Sequence, residues 1–307
     1  MKWSRKAPLI LFFREVFEMS RILIVGANSF DSGKTRLAIE LGKHLKDSGQ
    51  SVGYFKPISG HNYWYNYEHT KRCLEIGKLV SKDATTAKDT LDLQMDLYLM
   101  NPIHSLFVPA RIHKPLQNIR SSLGLTGASS VLVMQRFSRP VDNEFDTTIL
   151  VADSLVEEEI VILGLDEVGK LSHNSSILSA DNLETFQEFE QQQFEEIVSK
   201  AFAEIEKSVD TIIIESFNDS AWPWESLVEI DHVLVVTPGH IFRYDPERFR
   251  KAAFLYHRGI LPIREVTFRR MSDLLKPTHR VEIKPDTELD CDKMTAIGIE
   301  CHTGKND

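Results

Sequence analysis

Gly33, Lys34 and Thr35 close a run of mostly small residues that begins at Gly26, directly after the apolar stretch Arg21-Ile-Leu-Ile-Val25. A lysine and a hydroxyl held after a glycine, between an apolar run and a helix, can bind a polyphosphate. Backbone N–H groups wrap the phosphates, the ammonium neutralises them, and the threonine hydroxyl reaches Mg²⁺. The loop Asn28, Ser29, Phe30, Asp31, Ser32, Gly33, Lys34 and Thr35 is therefore the candidate phosphate cradle. The usual pattern has a glycine five positions before Gly33; Asn28 stands there, and Gly26 lies two residues upstream. Asparagine tolerates left-handed backbone better than most residues, so Asn28 is expected to take the glycine's role.

A second lysine, Lys56, lies in Gly53-Tyr-Phe-Lys-Pro-Ile-Ser-Gly60 at the end of the next apolar run. There it can hold a second anionic group facing the γ-phosphate or stabilise charge during transfer. Glu215, straight after Thr211-Ile-Ile-Ile214, puts a carboxylate at a buried strand end, where it can reach Mg²⁺.

These motifs need elements to position them. Residues 22–25 read as a buried parallel strand, and 35–48 as a helix with Leu37, Leu41 and Leu45 on one face. Residues 51–55 read as the second strand of a βαβ unit, whose ligand loops lie at the strand C-termini. Residues 68–82 read as helical. Short β-like runs follow at 130–136, 147–152 and 159–165, then a helix ending near Ile205. After the strand that ends at Glu215 come a strand at 231–238, a helix at 245–258, a strand at 265–268 and a short terminal segment around 281–283. Alternating strands and helices imply an α/β fold, a doubly wound and mostly parallel sheet with a β-rich insertion. The expected organisation is an N-terminal extension (1–18), a core in two parts (19–116 and 181–290), the insertion (117–180) and a polar tail (291–307). Met19 is the expected natural start.

The motifs together resemble dethiobiotin synthetase and its relatives. The resemblance rests on Gly26, Gly33-Lys34-Thr35, the Lys56-Pro57 loop, Lys82-Asp83-Ala84 ahead of Asn101-Pro102, and the strand ending in Glu215. It implies a phosphate-loop NTPase fold and an ATP- and Mg²⁺-dependent enzyme that phosphorylates a small carboxylate or carbamate, with ring closure to a cyclic urea in the resembled family. Lys34 would meet the phosphates, Thr35, Asp83 and Glu215 the Mg²⁺, and Lys56 and Ser59 the acceptor; Lys34, Lys56 and Glu215 would be catalytic. Asp89 rivals Asp83, and the sequence leaves both open. Dimers are common in that family, with the acceptor at the interface. The chain departs from the family at Ser216-Phe-Asn-Asp-Ser-Ala-Trp-Pro-Trp224, where a glycine-rich turn is usual. It departs again at Glu265-Val-Thr-Phe-Arg-Arg270, which replaces a base-reading turn. The alternative reading is a nucleotide-dependent ATPase or GTPase switch whose insertion contacts a protein.

Composition narrows the classes. A formal charge of −9 over 307 residues, with no long basic stripe, argues against nucleic acid or an anionic membrane as partner. Three cysteines, Cys73, Cys291 and Cys301, read as unpaired, which suits a cytoplasmic protein. A metal held by Cys291, Cys301 and His302 is disfavoured in so polar a tail. No HExxH, Gly-x-Ser-x-Gly or Gly-x-Gly-x-x-Gly pattern is present.

Overall fold

The computed structural model describes residues 19–28, 32–111, 130–142, 144–257, 261–284 and 288–300. The N-terminal extension, the loop residues Ser29, Phe30 and Asp31, and the pair Cys301 and His302 lie outside them. In chain order, β1 (Ser20–Gly26) leads through α1 (Lys34–Asp47) to β2 (Val52–Phe55), and only Lys56 and Pro57 separate β2 from β3 (Ile58–Asn62). Helices α2 (Tyr67–Ile76), α3 (Lys82–Leu91) and α4 (Leu97–Met100) precede β4 (Ile103–Pro109), β5 (Ser130–Val141) and β6 (Glu144–Val151). Then come α5 (Asp153–Glu157), α6 (Leu165–Leu171), β7 (Ser176–Ser179) and the long α7 (Leu183–Glu206). The chain closes with β8 (Thr211–Glu215), β9 (His232–Thr237), β10 (His240–Tyr244), α8 (Pro246–Tyr256), α9 (Phe268–Met271), β11 (His279–Glu282) and α10 (Cys291–Ala296).

The strands form two mixed sheets in an α/β arrangement. The first has the order β11-β10-β9-β1-β8-β2, with β9, β1, β8 and β2 parallel and β10 and β11 antiparallel at one edge. Its strands are apolar throughout because both faces are covered. Leu23, Val25, Ile212 and Ile214 pack into the core shared with α7 and α8, whereas Ile22, Ile24 and Ile213 pack against α1 and α3. The second sheet has the order β3-β4-β5-β6-β7. One of its faces packs on α2 and α6, and the other on α7.

The β-rich part of the chain thus reaches beyond 117–180, since β3 and β4 begin it. Pro57 explains the early departure: without an N–H it cannot continue β2's ladder. Asn101 then fixes the exit, donating from Nδ2 to the Lys56 carbonyl at 2.7 Å. Residues 159–165 hold only a bridge between Ala110 and Val161, because α6 starts at Leu165. In place of a strand at 265–268 there is a bridge from Thr267 to Ser220 and the short α9; its Phe268 stacks on Phe249 of α8, and that packing decides the local form. Helix α2 stops at Ile76 because Gly77 adopts φ 66°. The tail beyond residue 290 is anchored by buried Met294, Ile297 and Ile299. Cys73 is free and buried, while Cys291 is disulfide-bonded, unlike the expected set of unpaired thiols. No described helix is long and apolar enough to cross a membrane.

Candidate functional site

Strand β1 ends beneath the candidate phosphate loop, and close approach determines its last residue. A Cβ on Gly26 would lie 2.8 Å from the Asn218 carbonyl and 2.9 Å from that of Asn28, so only glycine fits. Gly33, at φ 90°, turns the chain into α1. Asn28 opens the loop, and the residues after it, Ser29 to Asp31, lie outside the described ones. Asn218, after β8, takes the left-handed form, at φ 49°. Its carbonyl accepts from Lys34 Nζ at 2.7 Å, and Ser32 Oγ lies 3.3 Å from the same nitrogen.

The parallel register places β2 and β1 on either side of β8, so their C-terminal ends converge on Glu215. Glu215 is fully buried and bound three ways. Thr35 Oγ1 donates to it at 3.0 Å, Tyr54 OH at 2.8 Å and Lys56 Nζ at 2.7 Å. Lys56 Nζ also pairs with Asp83, in the first turn of α3. Asp89 instead forms a surface pair with Arg72, which settles Asp83 as the carboxylate at the site. Burial would discharge Lys56, but Glu215 and Asp83 more than offset it and hold its pKa above the usual lysine value. Burial dominates at Lys34 and lowers its pKa. Burial, then the Glu215 charge, pushes Tyr54 well up, so the phenol stays a neutral donor.

Lys34, Thr35, Lys56, Asp83 and Glu215 border one cleft of about 1010 Å³, although they come from four separate segments. Asp83, Glu215 and Thr35 supply the hard oxygen atoms that suit Mg²⁺. The Lys56 ammonium already bridges the two carboxylates, so the ion would share them with it. Among the described residues no group of three or more His, Cys, Asp or Glu is placed to hold a metal.

Comparison with protein-family models and with curated proteins finds no match. The site's chemistry therefore rests on its own geometry.

Ser59, a sequence candidate, opens a buried chain of polar groups that the sequence did not advertise. Its Oγ lies 3.0 Å from Asn101 Oδ1 and 2.6 Å from His104 Nδ1, and His104 Nε2 lies 2.7 Å from His61 Nδ1. Because Asn101 Nδ2 is committed to the Lys56 carbonyl, Oδ1 must accept from Ser59. His104 Nδ1 then donates to Ser59, His61 Nδ1 donates to His104, and His61 Nε2 is a bare acceptor. That nitrogen is buried without a partner, and His61 borders the cleft. Burial lowers the pKa of His61 to about 3 and that of His104 well below the ordinary value, so both rings are neutral. Arg136 helps hold His104 neutral. Fully buried, it donates to the carbonyls of Leu79, Asn101 and Pro102 and lies over the Tyr98 ring.

Tyr54, Asn218 and the histidine chain were missed from sequence. Tyr54 was within reach: it stands two residues before Lys56, hence on the same side of an extended strand. His104 meets Ser59 only through β3–β4 register, which no local pattern reveals. The bulky run after Glu215 turns inward: Trp222 and Trp224 are core residues, with Trp224 against Phe55 and Phe202.

Proposed function

We propose that this protein is a Mg²⁺-dependent, ATP-binding phosphoryl-transfer enzyme of the phosphate-loop NTPase type, resembling dethiobiotin synthetase, which passes the γ-phosphate to a small carboxylate or carbamate acceptor. One observation carries the reading. The lysine and threonine of the loop, the second lysine and two carboxylates meet at one cleft, with Gly26 where a side chain would clash with the Asn218 and Asn28 carbonyls. Lys34 and the loop amides would take the phosphates, while the Thr35 hydroxyl and the Asp83 and Glu215 carboxylates would hold Mg²⁺. Lys56, fixed by Glu215 and Asp83, keeps a positive charge where charge develops on transfer. The bound metal would neutralise phosphate charge. The chain's part is to position and to exclude water.

The test is ADP release with ATP, Mg²⁺, bicarbonate and a panel of diamine and carboxylate acceptors. Acceptor-dependent release lost in Lys34→Ala is expected. Slow turnover that ignores every acceptor and rises only with a partner protein would favour the nucleotide switch instead. The buried Trp222 and Trp224 offer no surface to such a partner.

A further inference from the structure

The charged side chains that border the phosphate cleft are Lys34, Arg36, Lys56 and Lys82 against Asp83 and Glu215. On a chain of formal charge −9 this local surplus of cations makes the cleft a place for anions. All but one of these groups are engaged. Lys56 takes both carboxylates, Lys34 donates to the Asn218 carbonyl beside Ser32, and Arg36 pairs with Glu40 at 2.6 Å. Lys82 differs: among the described residues its ammonium has no ion pair and no hydrogen bond. Its helix does not account for it either. Lys82 is the first residue of α3, where the macrodipole disfavours a cation, and the adjacent Asp83 is already taken by Lys56.

The Lys82 charge is felt at His61 of β3 and at His69 of α2, whereas the charges felt most at Lys34 are those of Glu215, Lys56, Asp83 and Asp219. Lys82 therefore stands on the second-sheet side of the cleft. That side offers further donors, and Asn62 arranges them. Asn62 Oδ1 accepts from the N–H groups of Trp64 and Tyr65 at 2.9 and 3.1 Å, so Nδ2 is the end that donates to Ser130 Oγ at 2.8 Å. The Ser130 hydroxyl, having accepted, keeps its own proton to donate. The Asn62 N–H donates to Asn66 Oδ1 at 3.1 Å, which leaves Asn66 Nδ2 a donor without a partner among the described residues. Asn66, Ser130 and Lys82 all border the cleft, and no acid of β3, α2 or β5 does. An ammonium, an amide N–H and a hydroxyl together suit the oxygens of a carboxylate.

We propose that the acceptor is a dicarboxylate, with one carboxylate beside Lys56 and the other held by Lys82, Asn66 and Ser130. An oxygen of the first carboxylate forms the new P–O bond while the bond from the γ-phosphorus to the bridging oxygen breaks and ADP leaves with that electron pair. Lys82 is then the specificity-determining residue: it selects a free second carboxylate, and its charge turns away a diamine of the same length. The role of the first carboxylate rests on the phosphoryl-transfer reading; the anion site at Lys82 does not.

Calorimetry on the full chain, with Mg²⁺ and a non-hydrolysable ATP analogue and again without them, would compare linear dicarboxylates of graded length with the matching monocarboxylates and diamines. Dicarboxylates within one window of length are expected to bind, monocarboxylates at least about tenfold more weakly, and diamines not at all. Lys82 is exposed, so its replacement leaves the core untouched. Lys82→Gln should bring the dicarboxylate down to the monocarboxylate's affinity while the nucleotide analogue binds as before, and Lys82→Glu should admit the diamine. Equal binding of dicarboxylates and monocarboxylates, a wild-type preference for diamines, or a dicarboxylate preference that survives Lys82→Gln overturns the site. Lys82-dependent dicarboxylate binding in a protein without ATP affinity would overturn the phosphoryl-transfer reading and leave the anion site standing. ATP affinity without dicarboxylate binding would overturn the anion site and leave that reading intact.

Discussion

At the scale of single residues, Glu215 is a buried charge made tolerable by Lys56, Tyr54 and Thr35. Removing Lys56 leaves that carboxylate unpaired, a loss of about 3–5 kcal/mol for a buried pair. Lys56→Ala is therefore expected to lower the chemical denaturation midpoint strongly as well as turnover, whereas Lys34→Ala should remove ATP-induced thermal stabilisation with a smaller loss of fold stability. Equal ATP protection in Lys34→Ala and wild type would rule out the phosphate loop. The buried histidines give a pH signature. His61 has a folded pKa of about 3, below its unfolded value near 6.5, so the unfolded chain binds more protons between them. Stability should accordingly fall as pH drops below about 6.5, by about 1.4 kcal/mol per unit for each such histidine. Asp83, whose pKa Lys56 lowers against the effect of burial, loses its contribution only at more acid pH. His61→Gln should flatten the slope between pH 6.5 and 4.5; an unchanged slope would show that His61 is not buried as a neutral ring. Lys34, Thr35, Lys56 and Glu215 were legible because motif spacing is local. Asn218 and His104 were not, since a positive φ at asparagine and a cross-strand pair depend on tertiary context.

At the scale of elements, periodicity found the long pieces and misjudged the short ones. Helix α7 and the strands β1, β2, β8 and β9 carry strong apolar patterns and were found close to their bounds, whereas β10 was not read at all. Residues 265–268 look extended but follow their packing on α8, and 159–165 form an apolar turn beneath the second sheet. The tail is polar in sequence, yet its sparse apolar residues Met294, Ile297 and Ile299 are all buried. Met294→Ala is expected to cost about 2–5 kcal/mol, as for a core methionine. A change below about 0.5 kcal/mol in urea unfolding would mean that α10 contributes nothing to the fold.

At the scale of the whole molecule, the two sheets share α7 and a continuous apolar core in which Leu23 and Ile214 of one belong with Phe137 and Leu150 of the other. Such sharing predicts a single cooperative transition. Fluorescence of Trp222 and Trp224 near the first sheet, read in a Trp3→Phe, Trp64→Phe background, should coincide with far-UV circular dichroism on urea unfolding; separated midpoints would reveal two independent units. The α/β class was legible from alternating patterns, but in place of one mostly parallel sheet there are two mixed ones. The second sheet was only half legible, because β3 is a short strand with a glycine, histidine and asparagine, and it reads as loop until β4 pairs with it.

The hydrogen bond from Lys34 to the Asn218 carbonyl makes the lysine's resting partner part of the wall of the cleft. On the proposed reading, an arriving γ-phosphate competes for that ammonium and frees the turn at Phe217 and Asn218, which line the cleft where the acceptor would bind. The kinetic corollary is a compulsory order of addition, nucleotide before acceptor. Initial-rate patterns with a dead-end nucleotide analogue would display it as competitive inhibition against ATP and uncompetitive behaviour of an acceptor analogue towards ATP; a random-order pattern would show that the turn does not respond.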